Sequence, residues 1–508
     1  MRLIDAAWFL VEKPNAPAHF GPLIILSKPN NVEDTYVRDL VNEWRKYNHG
    51  YQPPFNYKLS MLPTPSWDIL ADSDIDLEYH LRHSALPAPG GEKELGELVS
   101  RLHSHPLDRD KPLWECHVIE GLENNRFALY LKLHHGQMDG MGTVKLIQNS
   151  FSLSPHDKQL PPWCFNVIKD LEKNPNLSEL SEQVTFKPSL VNKLIKTASS
   201  TTQFSQRVLS FLYSAYVKKM PEVAAPFKAP DTLLNGRIHA SRRYATQHYP
   251  LSTLKNIAKT VQVSINDVFL TICGGALRKY LSELNSLPDK DLIGQVPVNI
   301  RPKDGDAIGN SLAFIYSNLG TTISDPIERL LAIHKSIESG KSVQESLPEE
   351  GVELFSTMLL SPYMTEIILG LGGHVSPAAN MVISNVRGPN RYLFFKDARV
   401  EHIYGPSVLF HGQALNITMS TYVNQVDIGF TGCRETLPSM QKLAVYTGEE
   451  LVKLERAVNA LDDQTKYKID IERRIAVSRK ESVAPNQKID ELNAKIDKLT
   501  EQITKLSK

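Results

Sequence analysis

Cysteine is scarce in this chain. Four occur in 508 residues (Cys116, Cys164, Cys273 and Cys433), and they are widely scattered. Such a set gives no disulfide framework and no paired metal spacing with histidine; reduced thiols in a cytoplasmic setting, and no metal, are expected. An excess of one charge is also absent. Lys and Arg total 57 against 57 Asp and Glu, a formal net charge of zero, which argues against nucleic acid as the main partner. No uninterrupted apolar run is long enough to span a bilayer, so any membrane contact is expected to be peripheral. The opening Met1-Arg-Leu-Ile-Asp5-Ala-Ala-Trp-Phe-Leu10 is too short and too acidic to read as a signal peptide. No short-period repeat and no G-x-S-x-G nucleophile elbow appear.

What is present is ordinary in bulk and specific in detail. Apolar residues make up 41% of the chain, enough for two or three domains with sizeable cores. From Arg126 to Leu133, Phe127, Leu129, Leu131 and Leu133 alternate with Ala128, Tyr130 and Lys132, the period of a half-buried strand. The run ends in His134-His135-Gly-Gln-Met-Asp139-Gly140. Gly140 and Gly142 are expected to let the backbone turn sharply there. Histidine exchanges protons near neutrality, so a histidine at a strand end can act as a base. A purely structural histidine, a metal ligand and a nucleophilic triad are the competing readings. Adjacent strand residues face opposite ways, which argues against His134 and His135 sharing an ion.

The chain divides into a first lobe over 1–175, a basic amphipathic crossover linker over 176–232, a second lobe over 233–461 and a heptad-patterned helical tail over 462–508. Residues 186–220 contain no acid but carry Lys187, Lys193, Lys196, Arg207, Lys218 and Lys219, while Phe204, Val208, Phe211, Leu212 and Ala215 recur at helical spacing. Such a helix either packs between lobes or lies on an anionic membrane or lipid droplet. In the second lobe, Ser264 is an expected N-cap with Asp267 in the first turn and Asn266 beside the positive helix end. Segments 291–300 and 414–422 read as strands. In the tail, Ile489, Leu492, Ile496, Leu499, Ile503 and Leu506 suit a homodimer zipper, a helix docked on its own chain or a frayed one.

The ordered motifs resemble the bacterial wax ester synthase/acyl-CoA:diacylglycerol acyltransferase family. Asp5 to Leu10 with Pro17-Ala-His19-Phe-Gly21 is similar to its opening. Pro112-Leu113-Trp114 matches PLW, His134 to Gly140 matches HHxxxDG, and Asn266-Asp267 matches ND. Ser384-Asn385-Val386-Arg387-Gly388-Pro389 is similar to SNVPGP, with Arg387 where the family usually has proline. The resemblance runs to about residue 460. It implies an α/β (α+β) fold of two chloramphenicol-acetyltransferase-like lobes, each a mixed sheet flanked by helices, with an active-site tunnel between them.

The resemblance further implies transfer of a long-chain acyl group from acyl-CoA to a fatty alcohol or diacylglycerol, with His135 as general base, no acyl-enzyme and no cofactor. His134 would support the loop, and Asn266 would donate to the oxyanion or orient the acceptor, against the plain reading of a residue at a helix start. Asp139 would be structural, paired with Arg301. Gly140, Asp267 and Asn385 would contribute to substrate binding. Pro112, Leu113 and Trp114 would form either an apolar wall for the acyl chain or ordinary core. The alternatives are a condensation-type or other CoA-dependent acyltransferase with a different acceptor, and a non-catalytic lipid-droplet protein.

Overall fold

The computed structural model describes residues 3–30, 32–62, 64–167, 208, 210–300, 311–345, 347 and 349–462. The heptads of 462–508 and most of the basic stretch at 186–220 therefore lie outside the described residues, as does Arg301.

Fifteen strands are defined among the described residues: β1 His19–Phe20, β2 Leu23–Ser27, β3 Tyr57–Ser60, β4 Ser66–Ile69, β5 Leu81–Ala85, β6 Trp114–Leu122, β7 Arg126–His134, β8 Arg242–Pro250, β9 Ile293–Ile300, β10 Ser311–Asn318, β11 Met381–Arg387, β12 Phe394–Phe395, β13 Ala398–Tyr404, β14 Leu415–Tyr422 and β15 Gln425–Cys433. The first sheet has the order β12-β13-β2-β7-β6-β5, with β1 also on β7; the second has the order β10-β9-β11-β14-β15-β8. Both are mixed. β5–β6 is parallel in the first sheet, and β9–β11–β14 are parallel in the second. Strands β9 and β14 fall where the segments at 291–300 and 414–422 were read.

Two features depart from the sequence reading. First, β7 is not half-buried. Both of its faces are covered, and Tyr130 and Lys132 are fully buried. The Tyr130 hydroxyl meets His103 Nδ1 at 2.7 Å, and Lys132 Nζ reaches the Leu102 carbonyl at 3.2 Å and Glu115 Oε2 at 3.4 Å. A polar-looking face is thus satisfied inside the protein by partners far away in sequence. Second, β12 and β13 leave the 233–461 segment and complete the first sheet, pairing with each other and with β2. Their seam to the second sheet is a buried pair, His402 Nδ1 to Asp427 Oδ1 at 2.8 Å, with the Ile403 amide on Asp427 Oδ2.

The second core packs Val296, Ile383, Ile417 and Met419 against helices Leu251–Thr260, Ile265–Glu283 and Lys442–Asn459. Residues of the opposite parity, including Gln295, Asn416 and Thr418, are buried and polar. The described end of the basic stretch packs Phe211 and Ala215 on Phe355 and Leu359 of helix Glu349–Ile368. This described end packs on the second lobe. No single helix among the described residues is long and apolar enough to cross a membrane.

Candidate active site

Strand β7 is held at its histidine end from both sides. The His134 amide donates to the Leu113 carbonyl at 3.1 Å, and the His135 amide to the Ala18 carbonyl at 2.8 Å. The two rings diverge, as strand alternation requires. They nevertheless meet neighbouring residues of one element, the helix Leu3–Val11. Trp8 stacks on His135 with ring centroids 3.9 Å apart and 22° between planes, and Phe9 stacks on His134 at 4.3 Å and 8°.

His134 is buried, and its Nδ1 accepts the Gly136 amide proton at 3.0 Å. The ring proton is therefore assigned to Nε2, which lies 3.4 Å from Glu12 Oε2. Glu12 also accepts from the Ala18 amide at 2.9 Å and pairs with Arg109 at 2.7 Å. Burial alone would raise its pKa; His134, the Ala18 amide and Arg109 outweigh that and hold it at about 2.

His135 has a different environment. Besides Trp8, Phe20 flanks the ring at 4.8 Å. Burial lowers its pKa to about 4, against smaller raising effects from the Asp139 charge and its own backbone carbonyl. The ring is neutral at pH 7, with a lone pair free to take a proton. Nδ1 is buried with no bonding partner, which leaves Nε2 as the nitrogen a substrate can approach.

Asp139 is the N-cap of helix Gly140–Ser150, accepting from the Gly142 amide at 2.8 Å. Gly140 and Gly142 were expected to make a tight turn. The structure corrects this: both lie in the first helical turn, and neither has a positive φ. The position that demands glycine is Gly136, where an added Cβ would stand 2.7 Å from the Phe9 ring and the Asp5 carbonyl.

Trp114 is wholly enclosed: it stacks on His80 at 4.2 Å, and its indole donates to the Phe55 carbonyl at 2.9 Å. Leu113 packs with Phe9, Leu59 and Leu107. The structure thus places Leu113 and Trp114 in the core, with Leu113 tied to His134 through its carbonyl.

Asn266 and Asp267 open helix Ile265–Glu283, capped by Ser264. Asp267 is buried, accepting from the Ser264 amide at 2.8 Å and from His334 Nδ1 at 2.9 Å. Burial works against its charge, but His334 and Ser264 keep its pKa below the usual carboxylate value. Asn266 stays half-buried and meets the Asn385 amide at 3.5 Å. Two motifs 119 residues apart therefore touch. No His, Cys, Asp and Glu grouping fit to hold a metal occurs among the described residues.

Sequence reasoning gave no role to Trp8, Phe9, Glu12, Arg109 or His334. Each acts through a contact that no local pattern encodes, although Trp8 and Phe9 stand in the opening segment that carries part of the resemblance.

The wax ester synthase/diacylglycerol acyltransferase catalytic domain profile matches residues 1–269, and the C-terminal domain profile of the same family matches 308–455. The chain belongs to the wax ester synthase/diacylglycerol acyltransferase family. It is 38% identical over 461 residues to the O-acyltransferase WSD of Acinetobacter baylyi, covering 91% of this chain and 98% of that one. It is 37% identical to a putative diacylglycerol O-acyltransferase of Mycobacterium tuberculosis, covering 90% and 97%. The wax ester synthase/diacylglycerol acyltransferase of Marinobacter aquaeolei VT8 superposes with a TM-score of 0.72 at 32% identity, over 90% of this chain and all of that one. A condensation domain of the calcium-dependent antibiotic synthetase shares the fold alone, with a TM-score of 0.54 at 13% identity. The family, the two-lobed acyltransferase fold and the O-acyltransferase class of enzyme expected from the motifs all hold.

Proposed function

We propose that this family member moves a long-chain acyl group from acyl-CoA directly to the hydroxyl of a fatty alcohol or diacylglycerol, with His135 as general base. The hydroxyl proton passes to His135 Nε2 as the oxygen bonds to the thioester carbonyl carbon. The C–S bond then breaks, and the CoA thiolate takes the proton from His135. No acyl-enzyme is required, because the thioester is already activated and both substrates are bound together. Asn266 donates to the developing oxyanion or orients the acceptor, a contribution typically worth on the order of a hundredfold. The observation that carries this reading is the placement of His135 at the end of β7, its amide held by the Ala18 carbonyl and its ring stacked on Trp8 with Nδ1 buried, surroundings that lower its pKa. Acyl and acceptor chains bind by burial of methylenes, roughly 0.8 kcal/mol each, which discriminates weakly between lengths. Broad chain tolerance follows.

The test is release of free thiol from palmitoyl-CoA, with and without hexadecanol or dioleoylglycerol. Acceptor-dependent release, abolished in His135→Ala, is expected. Stoichiometric release without acceptor would overturn direct transfer, and full activity in His135→Ala would overturn the base assignment. Competition between the two acceptors, read by thin-layer chromatography, ranks them.

Cytoplasmic, peripheral attachment to an anionic lipid surface is part of the same proposal. Tyr213, Tyr216 and Val217 are exposed beside Lys218 and Lys219, an apolar and cationic combination suited to such a surface. Retention on phosphatidylglycerol vesicles that is lost in a Tyr213→Ser/Val217→Ser variant is expected. The homodimer zipper at 462–508 is tested by ultracentrifugation of the chain with and without that tail.

A further inference from the structure

Cations gather around His411, next to Phe410, and leave one buried donor unused. Phe410 touches Trp8 at 5.7 Å, so this cluster stands one residue from the aromatic packing against His135. His411 is more than nine-tenths buried. Its Nδ1 accepts the Ile238 amide proton at 3.1 Å, which assigns the ring proton to Nε2. Nε2 is buried and has no partner, a costly arrangement for a donor unless a ligand completes it.

Lys13 and Arg237 meet at Gly370, where an added Cβ would stand 3.0 Å from Lys13 Nζ, and the next glycine, Gly372, packs on the His411 carbonyl; burial first, then Arg237, Lys13, Arg242 and His239, lower the His411 pKa to about 4. The ring is therefore a neutral donor at pH 7. Arg237 bonds only the Gly370 and Gly372 carbonyls, each at 3.4 Å. Arg242 bonds the carbonyls of Asn15, His239 and Ala240. Among the described residues no carboxylate pairs with Arg237, Arg242 or Lys13; the nearby acid Glu435 is taken by His239 at 3.0 Å. Lys13 and Arg237, two cations without a counter-ion beside an unused donor, form an anion site, and the enclosed Arg242, spent on its carbonyls, adds positive potential from behind.

We infer that Lys13, Arg237 and the Nε2–H of His411 bind phosphate groups of the acyl-CoA donor, holding its nucleotide end while the thioester reaches His135. This rests on the acyl-CoA reading above and extends it to the part of the donor remote from the chemistry. Phosphate could also be offered by an anionic lipid headgroup, and the experiment separates the two sources.

Palmitoyl-CoA is compared with palmitoyl-pantetheine, which has the same thioester and no phosphate, using hexadecanol as acceptor. The wild-type chain is expected to favour palmitoyl-CoA in kcat/KM by well over tenfold, and to lose that preference at high ionic strength. Lys13→Gln removes an exposed charge with little risk to folding, and Arg237→Gln removes a half-buried one. Each is expected to reduce the CoA-over-pantetheine ratio about five- to twentyfold, through KM rather than kcat. A ratio unchanged in both variants overturns the inference. So does an unchanged ratio with lost retention on phosphatidylglycerol vesicles, which would assign the cations to lipid. A wild-type chain that uses neither donor defeats the acyl-CoA reading itself, which is a different result.

Discussion

Trp8 lies almost flat against His135, with ring centroids 3.9 Å apart, so the residue that shields the candidate base comes from the first helix of the chain. This contact removes water from one face of the imidazole and contributes to the burial that lowers its pKa to about 4. Trp8→Ala should admit water and let the pKa climb toward 6.5. The acid limb of kcat/KM should then move up by one to two pH units, with activity at pH 7 little changed by titration and activity at pH 5 falling roughly two- to tenfold. Trp8→Phe should restore most of both. A pH–rate profile of the three proteins checks this.

His134→Ala and His135→Ala should separate stability from turnover. His134 is enclosed between Phe9 and Glu12 and holds the Gly136 amide. Its loss leaves a cavity and an unpaired amide, costing about 2–4 kcal/mol, with activity reduced only in proportion to folded protein. His135→Ala should retain stability within about 1 kcal/mol and lose at least a hundredfold in kcat. Urea melts paired with single-time-point transfer assays distinguish the two.

Glu12→Gln should destabilise by about 1–2 kcal/mol. It removes the buried negative charge that pairs with the half-exposed Arg109 at 2.7 Å and that meets the Ala18 amide and His134, leaving the buried His134 without its ionised partner. Chemical denaturation at pH 7 reads the loss.

Asp139→Ala should cost about 1 kcal/mol for the lost cap on the Gly142 amide. Asp139→Asn caps nearly as well, so it isolates any pairing with Arg301. Folded yield as low as that of Asp139→Ala would point to that ion pair.

Stability should fall between pH 6.5 and 4. His80 and His103 are buried, with pKa values lowered to about 4 and about 3, chiefly by burial. Protons then bind the unfolded chain first as pH drops through 6.5, and stability declines with pH until the folded values are reached. At pH 5 each histidine accounts for a loss of up to about 2 kcal/mol relative to pH 7. Glu12 and Glu115, both held near 2, add their loss only below about pH 4.5. Urea midpoints at pH 7, 6 and 5 should decline in step, and a flat series would contradict the burial argument.

The segment from Arg126 to His134 shows how much could be read in advance and why the reading stopped. Its alternation marked a strand, and the two histidines after it marked a site. The same alternation suggested a wet face, because Tyr130 and Lys132 are polar by type. Their partners His103 and Glu115 come from other elements, so nothing local reveals that the face is dry. The Ser264 cap and the helix after it were equally legible, since capping is a contact three residues long. The contact between Asn266 and Asn385, and the return of β13 to the first sheet beside β2, depend on chain packing over more than a hundred residues.

Local pattern and motif order determined the strand that carries His135, the helix that carries Asn266, the family and the class of fold, because periodicity, caps and ordered short motifs are properties of neighbouring residues. Tertiary structure alone decided that Trp8 covers His135, that Asp267 answers His334 and that Lys13 and Arg237 gather beside His411. Those outcomes follow from burial and distance, which exist only once remote segments are packed together.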